Sequence, residues 1–298
     1  MEPLPELAAL LARHALADGV QPTALPRVAL VRSASPTMPL PTVYEPSLCI
    51  VAQGAKEVQL GSQRFRYDPA SFLLGAVDLP VMGTVTQASA AEPYLCLCVS
   101  LDVAAIAELV AQLPPVRDGG EGLGLILGRT SAELLDAATR LVALLDAPAD
   151  APVLAPLVER ELLWRLLTGP AGPLLRRLTR AGGPIEQVSR AIAWLRAHYA
   201  EPVAIEQLAA VAGMSASALH AHFRTVTGLS PLRYRTRLRL QEARRLMLVE
   251  ALDAASAGFR VGYGGPSQFS RDYGEAFGAP PARDVARLRA MGGEAVAA

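Results

Sequence analysis

The chain has 298 residues and a mass of 31.4 kDa, with 51% apolar and 19% charged residues and 28 Lys+Arg against 28 Asp+Glu. A prior of roughly 150 residues per domain favours two folded units, and the apolar share excludes a wholly disordered chain. Balanced charge excludes a global field for nucleic acid or anionic lipid, so such a partner must be met locally.

The apolar runs 47–53 and 94–101 stay well short of the roughly 20 residues that span a bilayer, so no membrane partner is expected. Residues 1–16 carry two Glu and one Arg and no basic leader, which predicts a cytoplasmic protein rather than a secreted one. Three cysteines, Cys49, Cys96 and Cys98, are an odd and sparse set that suits a reducing compartment. Lys56 is the only lysine, which reads as the compositional bias of a GC-rich genome.

An N-terminal helix is expected within residues 1–20. Short β-type segments follow at Ser47–Gln53, Lys56–Leu60, Arg64–Tyr67, Ser71–Leu74, Val81–Gln87 and Tyr94–Ser100, separated by Gly, Asp-Pro and Glu-Pro turn signals. Strands this short and closely spaced predict a small sandwich or barrel over 20–125. The glycine-rich run Gly119–Gly124 has no strand before it and no Lys-Ser/Thr after it, so it reads as a loop rather than a phosphate cradle. Helical periodicity then takes over at Asp102–Gln112, Ser131–Asp146 and Val153–Leu167, the second opened by a capping box of Thr130 and Glu133. Residues 126–183 thus read as a helical connector, ending in a Gly/Pro-rich linker near 170–184.

Charge divides at the same place. Residues 1–180 hold 14 basic against 18 acidic residues, and 181–298 hold 14 against 10, so only the C-terminal part is basic. Residues 184–298 read as helices alone: Pro184–Tyr199, Ala204–Ala212, Ser217–Thr227, Pro231–Val249, Asp253–Val261, Ser267–Phe277 and Pro281–Met291.

This half repeats itself. Leu219, Phe223, Gly228 and Pro231 recur fifty residues on as Phe269, Tyr273, Gly278 and Pro281, and Ala209 and Gly213 recur as Gly258 and Gly262. A small residue followed four positions later by Gly is what a helix-turn-helix requires: the first lets two helices cross closely, the second takes the left-handed turn. Between the copies, Pro231 to about Leu248 would make a rod of roughly 27 Å, able to hold two recognition helices in successive major-groove segments of B-DNA. Seven arginines (224, 233, 235, 237, 239, 244 and 245) against the single acid Glu242 supply a cluster that can neutralise phosphates.

These residues resemble a known family. Ile205–Phe223, Thr227–Pro231, Tyr234–Met247 and Gly262–Pro281 look like the DNA-binding domain of AraC/XylS-type transcriptional regulators, over roughly residues 185–290. Tyr44–Gly54 and Val77–Val81 are similar to the effector domain of one AraC subgroup. The resemblance implies an α+β chain: an N-terminal cupin-like β-barrel with a helical connector, and a C-terminal all-α double helix-turn-helix. It implies double-stranded operator DNA as partner, an unidentified small-molecule effector, a homodimer and contact with RNA polymerase. No catalytic role, cofactor or metal is expected.

The base-contacting residues implied are Ser215, Ser217, Ala218, His220 and Ala221 on the first recognition helix and Ser267, Gln268, Ser270 and Arg271 on the second. Arg271 stands where the family often has a base-reading Arg, and Arg is the commonest bidentate reader of guanine. Phosphate contacts fall to His222, Arg224, Arg233, Arg237 and Arg244. Five residues at three places depart from the family pattern: Ala221 replaces an Arg, Gly264-Gly265 replaces a polar pair with a Ser-type cap, and Gly274-Glu275 replaces basic residues.

Cys49, Cys96 and Cys98, with Tyr94, are the candidate effector-binding residues of the barrel. Alternation puts Cys96 and Cys98 on one strand face with Cα atoms about 6.5–7 Å apart, at or beyond disulfide reach. The three thiols read either as small apolar fillers or as a thiol sensor or soft-metal site. The barrel segments hold no His, which disfavours a metal-dependent cupin enzyme. A competing reading is a protein-interaction module, or a cupin-type enzyme, carrying a degenerate DNA-binding domain.

Overall fold

The computed structural model describes residues 3–69, 71–114 and 122–290, so the first half of the glycine-rich run, 119–121, and Met291 lie outside the described residues. Two compact units emerge, Met1–Glu186 and Gln187–Ala298.

In the N-terminal unit the strands are β1 (Gly19–Pro22), β2 (Val28–Ser33), β3 (Leu40–Tyr44), β4 (Ser47–Gln53), β5 (Ala55–Leu60), β6 (Gln63–Tyr67), β7 (Ser71–Gly75), β8 (Leu79–Gln87), β9 (Tyr94–Ser100) and β10 (Leu125–Arg129). They form two antiparallel sheets among the described residues, in the orders β1-β2-β9-β4-β7-β10 and β3-β8-β5-β6. All six expected strands are present. β1, β2, β3 and β10 were not foreseen.

Helices α1 (Pro3–His14), α2 (Val103–Ala111), α3 (Ala132–Ala143), α4 (Ala151–Thr168) and α5 (Gly172–Leu178) complete this unit. α1 packs on β4, β9 and α3, with Leu7 and Leu11 wholly buried. Leu48 and Val99 line a small cleft with Leu162, Leu163 and Leu166 of α4. One face of the larger sheet is therefore covered by helix, and strand alternation turns the neighbouring side chains to the opposite face.

Two local expectations need correction. The cap of α3 is Ser131, whose hydroxyl accepts the Leu134 amide at 3.2 Å, so the capping unit starts one residue after Thr130. The segment at 172–178 is helix, not linker: Pro173 sits in its first turn, where its missing N–H costs nothing, and Leu174, Leu175 and Leu178 are buried.

The second unit contains the rest of α6 (Pro184–Ala197), then α7 (Ile205–Ala212), α8 (Ala216–Thr227), α9 (Pro231–Val249), α10 (Ala254–Arg260), α11 (Pro266–Phe277) and α12 (Pro281–Ala290). α9 packs against α8, α10, α11 and α12. Its Tyr234 meets Phe223 of α8 edge-on at 5.3 Å, and Phe269, Tyr273 and Phe277 of α11 continue the aromatic core.

Candidate functional site

Both repeats fold as helix, tight turn, helix. Gly213 closes α7 at φ 71°, ψ 36°, the left-handed conformation that glycine adopts without steric cost, and its counterpart Gly262 has φ 91°. Gly258 lies against Phe269 so closely that a Cβ would come within 2.9 Å of the ring, which is the close crossing expected of the small residue.

The turn fixes what each second helix shows to solvent. On α8, Leu219 and Phe223 are buried, and Ser217, His220, Ala221 and Arg224 share the exposed face at helical spacing; Ala218 and His222 are half-buried. On α11, Phe269 and Tyr273 are buried, and Ser267, Gln268, Ser270 and Arg271 are all exposed. Ser215 is exposed and caps α8, its oxygen accepting the Ala218 amide at 3.2 Å. The equivalent cap of α11, Gly265, offers no side-chain acceptor, so this helix starts without that hydrogen bond.

The arginine cluster separates into two kinds. Arg224 and Arg233 are exposed, with no ion pair among the described residues. Arg237 is half-buried and its guanidinium interacts with the charge of Glu275. Arg239 is buried and donates to the carbonyls of Tyr199, Ala200 and Glu201. Arg245 is paired with Glu242 and Glu250.

Arg244 must be removed from the phosphate-contacting set. It is 2% exposed, donates to both carboxylate oxygens of Asp284 at 2.8 and 3.0 Å, and stacks 4.5 Å from the Phe277 ring. A guanidinium held in this way cannot reach a phosphate; the sequence showed its charge but not its buried partner forty residues away.

In the N-terminal unit the three cysteines converge. Cys49 on β4 lies directly opposite Cys98 on β9, and Val51 opposite Cys96, so register alone brings all three thiols to one sheet face. The Sγ atoms of Cys49 and Cys98 are 3.2 Å apart, those of Cys96 and Cys98 4.0 Å, and all three lie within 4.8 Å of one another. Cys96 and Cys49 are buried, and Cys98 keeps partial exposure.

Tyr44, Lys56 and Tyr67 of the smaller sheet, with Tyr94 beside Cys96, share this polar environment. The Tyr44 and Tyr67 hydroxyls are 3.1 Å apart, and the Lys56 ammonium lies 5.3 Å from the Tyr44 ring centroid. Gly83 leaves room for this cation: a Cβ there would meet Lys56 Cε at 3.1 Å. Among the described residues no carboxylate pairs with Lys56.

Hydrogen bonds from the Cys96 and Cys98 thiols hold Cys49 well below the ordinary thiol range, and the Lys56 charge acts in the same direction. Those same bonds push Cys98 and Cys96 up, so the cluster gives one proton readily and the other two reluctantly. Burial raises the pKa values of Tyr67 and Tyr94 well above the phenol range, leaving both neutral. For Lys56 burial disfavours the ammonium, but Tyr44 and the cysteine sulfurs more than offset it.

Cys49, Cys96, Cys98 and Tyr94 are thus brought together, and Lys56, Tyr44 and Tyr67 join them unforeseen. The available signal was positional: the only lysine follows the Gly54 turn and shares its face of β5 with the buried Val58 and Leu60, two and four residues on.

Comparison with known proteins places the whole arrangement. A family model described as the AraC-type transcriptional regulator N-terminus matches residues 24–174, half of the chain. The chain belongs to the AraC-type transcriptional regulators. A helix-turn-helix domain model matches residues 208–287, so the AraC-type chain carries both parts in this order.

The HTH-type transcriptional activator RhaS of Salmonella schwarzengrund (strain CVM19633) is 30% identical over 164 residues, 54% of this chain and 57% of RhaS. The chain therefore matches little more than half the length of this curated relative. Wild-type ToxT from Vibrio cholerae strain SCE256, solved with an unsaturated fatty acid bound, matches 87% of this chain and 93% of its own at 9% identity and a TM-score of 0.55. ToxT from Vibrio cholerae O395, bound to (E)-4-(8-methylnaphthalen-1-yl)but-3-enoic acid, matches 87% and 99% at 9% identity and a TM-score of 0.57. At that identity the likeness is one of fold. In the AraC-type chain no described helix is long and apolar enough to cross a membrane.

Proposed function

We propose that this AraC-type protein is a cytoplasmic, one-component transcription regulator that reads double-stranded operator DNA with α8 and α11 and senses a small effector inside the barrel of its N-terminal unit. The observation that carries the reading is the doubled turn: two left-handed glycines, each followed by a helix with a buried aromatic side and an exposed polar one.

Arg271 reads a base edge, with Ser267, Gln268 and Ser270 beside it; Ser217 and His220 do so on α8, flanked by Ser215, Ala218 and Ala221. Arg224 and Arg233 meet phosphate, and His222 and Arg237 contribute at the edge of that surface. Effector occupancy around Cys49, Cys96, Cys98 and Tyr94 shifts the population between two arrangements of the DNA readers. The helical residues after β10, 130–183, form the connector, which therefore starts four residues later than the 126 expected from sequence, and the exposed Val153, Leu154 and Leu157 of α4 are the homodimer contact. Contact with RNA polymerase completes the proposed partners, and no catalytic step is assigned.

An electrophoretic shift on DNA upstream of the protein's own coding region tests this. Arg271→Ala is expected to relax preference at one base position, worth about 1–3 kcal/mol of discrimination. Unchanged sequence preference in the variant would reject the base-reading role.

A further inference from the structure

We infer that the interior of the β unit is a binding site for a soft divalent metal ion, held by the thiolates of Cys49, Cys96 and Cys98 with the ammonium of Lys56 as counter-charge. This rests on the reading of that interior as the effector site and names the chemical class of the effector.

The chain has three cysteines and one lysine in 298 residues, and all four meet in one interior. The cysteines come from two neighbouring strands in direct register, so strand pairing rather than loop conformation sets their spacing.

A metal bound to three sulfurs at about 2.3 Å in a trigonal plane places those sulfurs about 4 Å apart. Cys96 and Cys98 already stand at 4.0 Å, and Cys49 and Cys98, at 3.2 Å, need to separate by less than about 1 Å, a side-chain rotation within a rotamer well.

An all-sulfur set selects soft cations over Mg²⁺ or Ca²⁺, which prefer oxygen. Three thiols bind M²⁺ by releasing three protons to solvent, which leaves the trithiolate complex with one net negative charge. Lys56 supplies one positive charge and has no carboxylate partner among the described residues, and Gly83 keeps the space its ammonium occupies. A buried complex anion and a buried cation then neutralise each other, as low dielectric requires.

The test uses the full chain, reduced and metal-free, titrated with Cd²⁺ alone. Thiolate-to-metal charge-transfer absorption is expected to saturate at one Cd²⁺ per chain, and X-ray absorption at the cadmium edge to count three sulfurs. Cys96→Ser should leave two. Lys56→Met, which retains every sulfur and so guards against a misfolded Cys96 variant, should weaken Cd²⁺ binding about 10–100-fold, the range for outer-shell partners of a metal. Absence of the absorption band, a count of two sulfurs in the unaltered chain, or wild-type affinity in Lys56→Met would overturn the site. DNA binding is measured on the same samples. Specific DNA binding without Cd²⁺ uptake overturns the metal site and leaves the regulator standing; Cd²⁺ uptake with no change in DNA affinity overturns its role as effector; no specific DNA binding overturns the regulator itself.

Discussion

Arg244 and Asp284 form a closed ion pair in the C-terminal unit, two hydrogen bonds of 2.8 and 3.0 Å between side chains almost wholly hidden from water. Tyr273 donates a third bond to the same carboxylate at 2.9 Å, and Arg287 a fourth at 2.8 Å. The pair ties the long α9 to α12, which places it among the structural elements that carry the second recognition helix.

Removing one partner strands the other. Arg244→Leu leaves a buried carboxylate that Arg287, itself partly exposed, neutralises only in part, and is expected to destabilise the unit by about 3–5 kcal/mol in urea denaturation. Arg233→Ala, on the exposed side of the same helix, should stay within about 0.5 kcal/mol of the unaltered protein. Equal losses for both would contradict the division of the arginines.

The second turn is sterically closed. Gly262 has φ 91° and sits against the Ala200 carbonyl and the Arg239 guanidinium, so an added methyl group meets backbone as well as side chain. Gly262→Ala should cost about 1–3 kcal/mol. Two residues on, Gly264 faces open space at an ordinary φ, and Gly264→Ala should be neutral or stabilising by up to about 1 kcal/mol through the unfolded state. Thermal unfolding of the two variants side by side distinguishes a strained glycine from a permissive one.

In the sheets, Gly128 of β10 lies directly opposite Phe72 of β7, and the ring occupies the space a side chain would need. Gly128→Ala should destabilise by about 1–3 kcal/mol. Combining it with Phe72→Leu should recover part of that loss, with a coupling of about 0.5–3 kcal/mol in a double-mutant cycle. Strict additivity would show that the ring does not depend on that glycine.

Much of this was legible in the letters, for physical reasons. The left-handed glycines and the small residues at helix crossings have few substitutes, so Gly213, Gly258 and Gly262 marked both turns. Strands β4 and β9 were visible because they are continuous apolar runs bounded by breakers. Strand β3 was not, since all five of its residues are half-exposed and Pro41 interrupts the pattern. β1 spans only four residues. Gly172 and Pro173 carried a linker signal, yet Gly172 serves packing: it approaches the Leu167 carbonyl more closely than any side chain allows. At the cysteine cluster, alternation put Cys96 and Cys98 on one face, but the pairing of Cys49 with Cys98 and the approach of Lys56 from the other sheet depend on long-range register that a single chain does not spell out.

In the proposed reading, α8 and α11, with the start of α9, present a DNA-reading surface on which the exposed Arg224 of α8 and Arg233 of α9 neutralise phosphates. The affinity of the 298-residue chain for its upstream DNA, measured as a function of salt, tests this surface directly. A steep linear fall of log K with log salt is expected, with a slope smaller by about 1 in Arg233→Ala. Arg244→Leu, assayed where it remains folded, should keep the wild-type slope. A flat response to salt, or a slope that drops for Arg244 and not for Arg233, would contradict it.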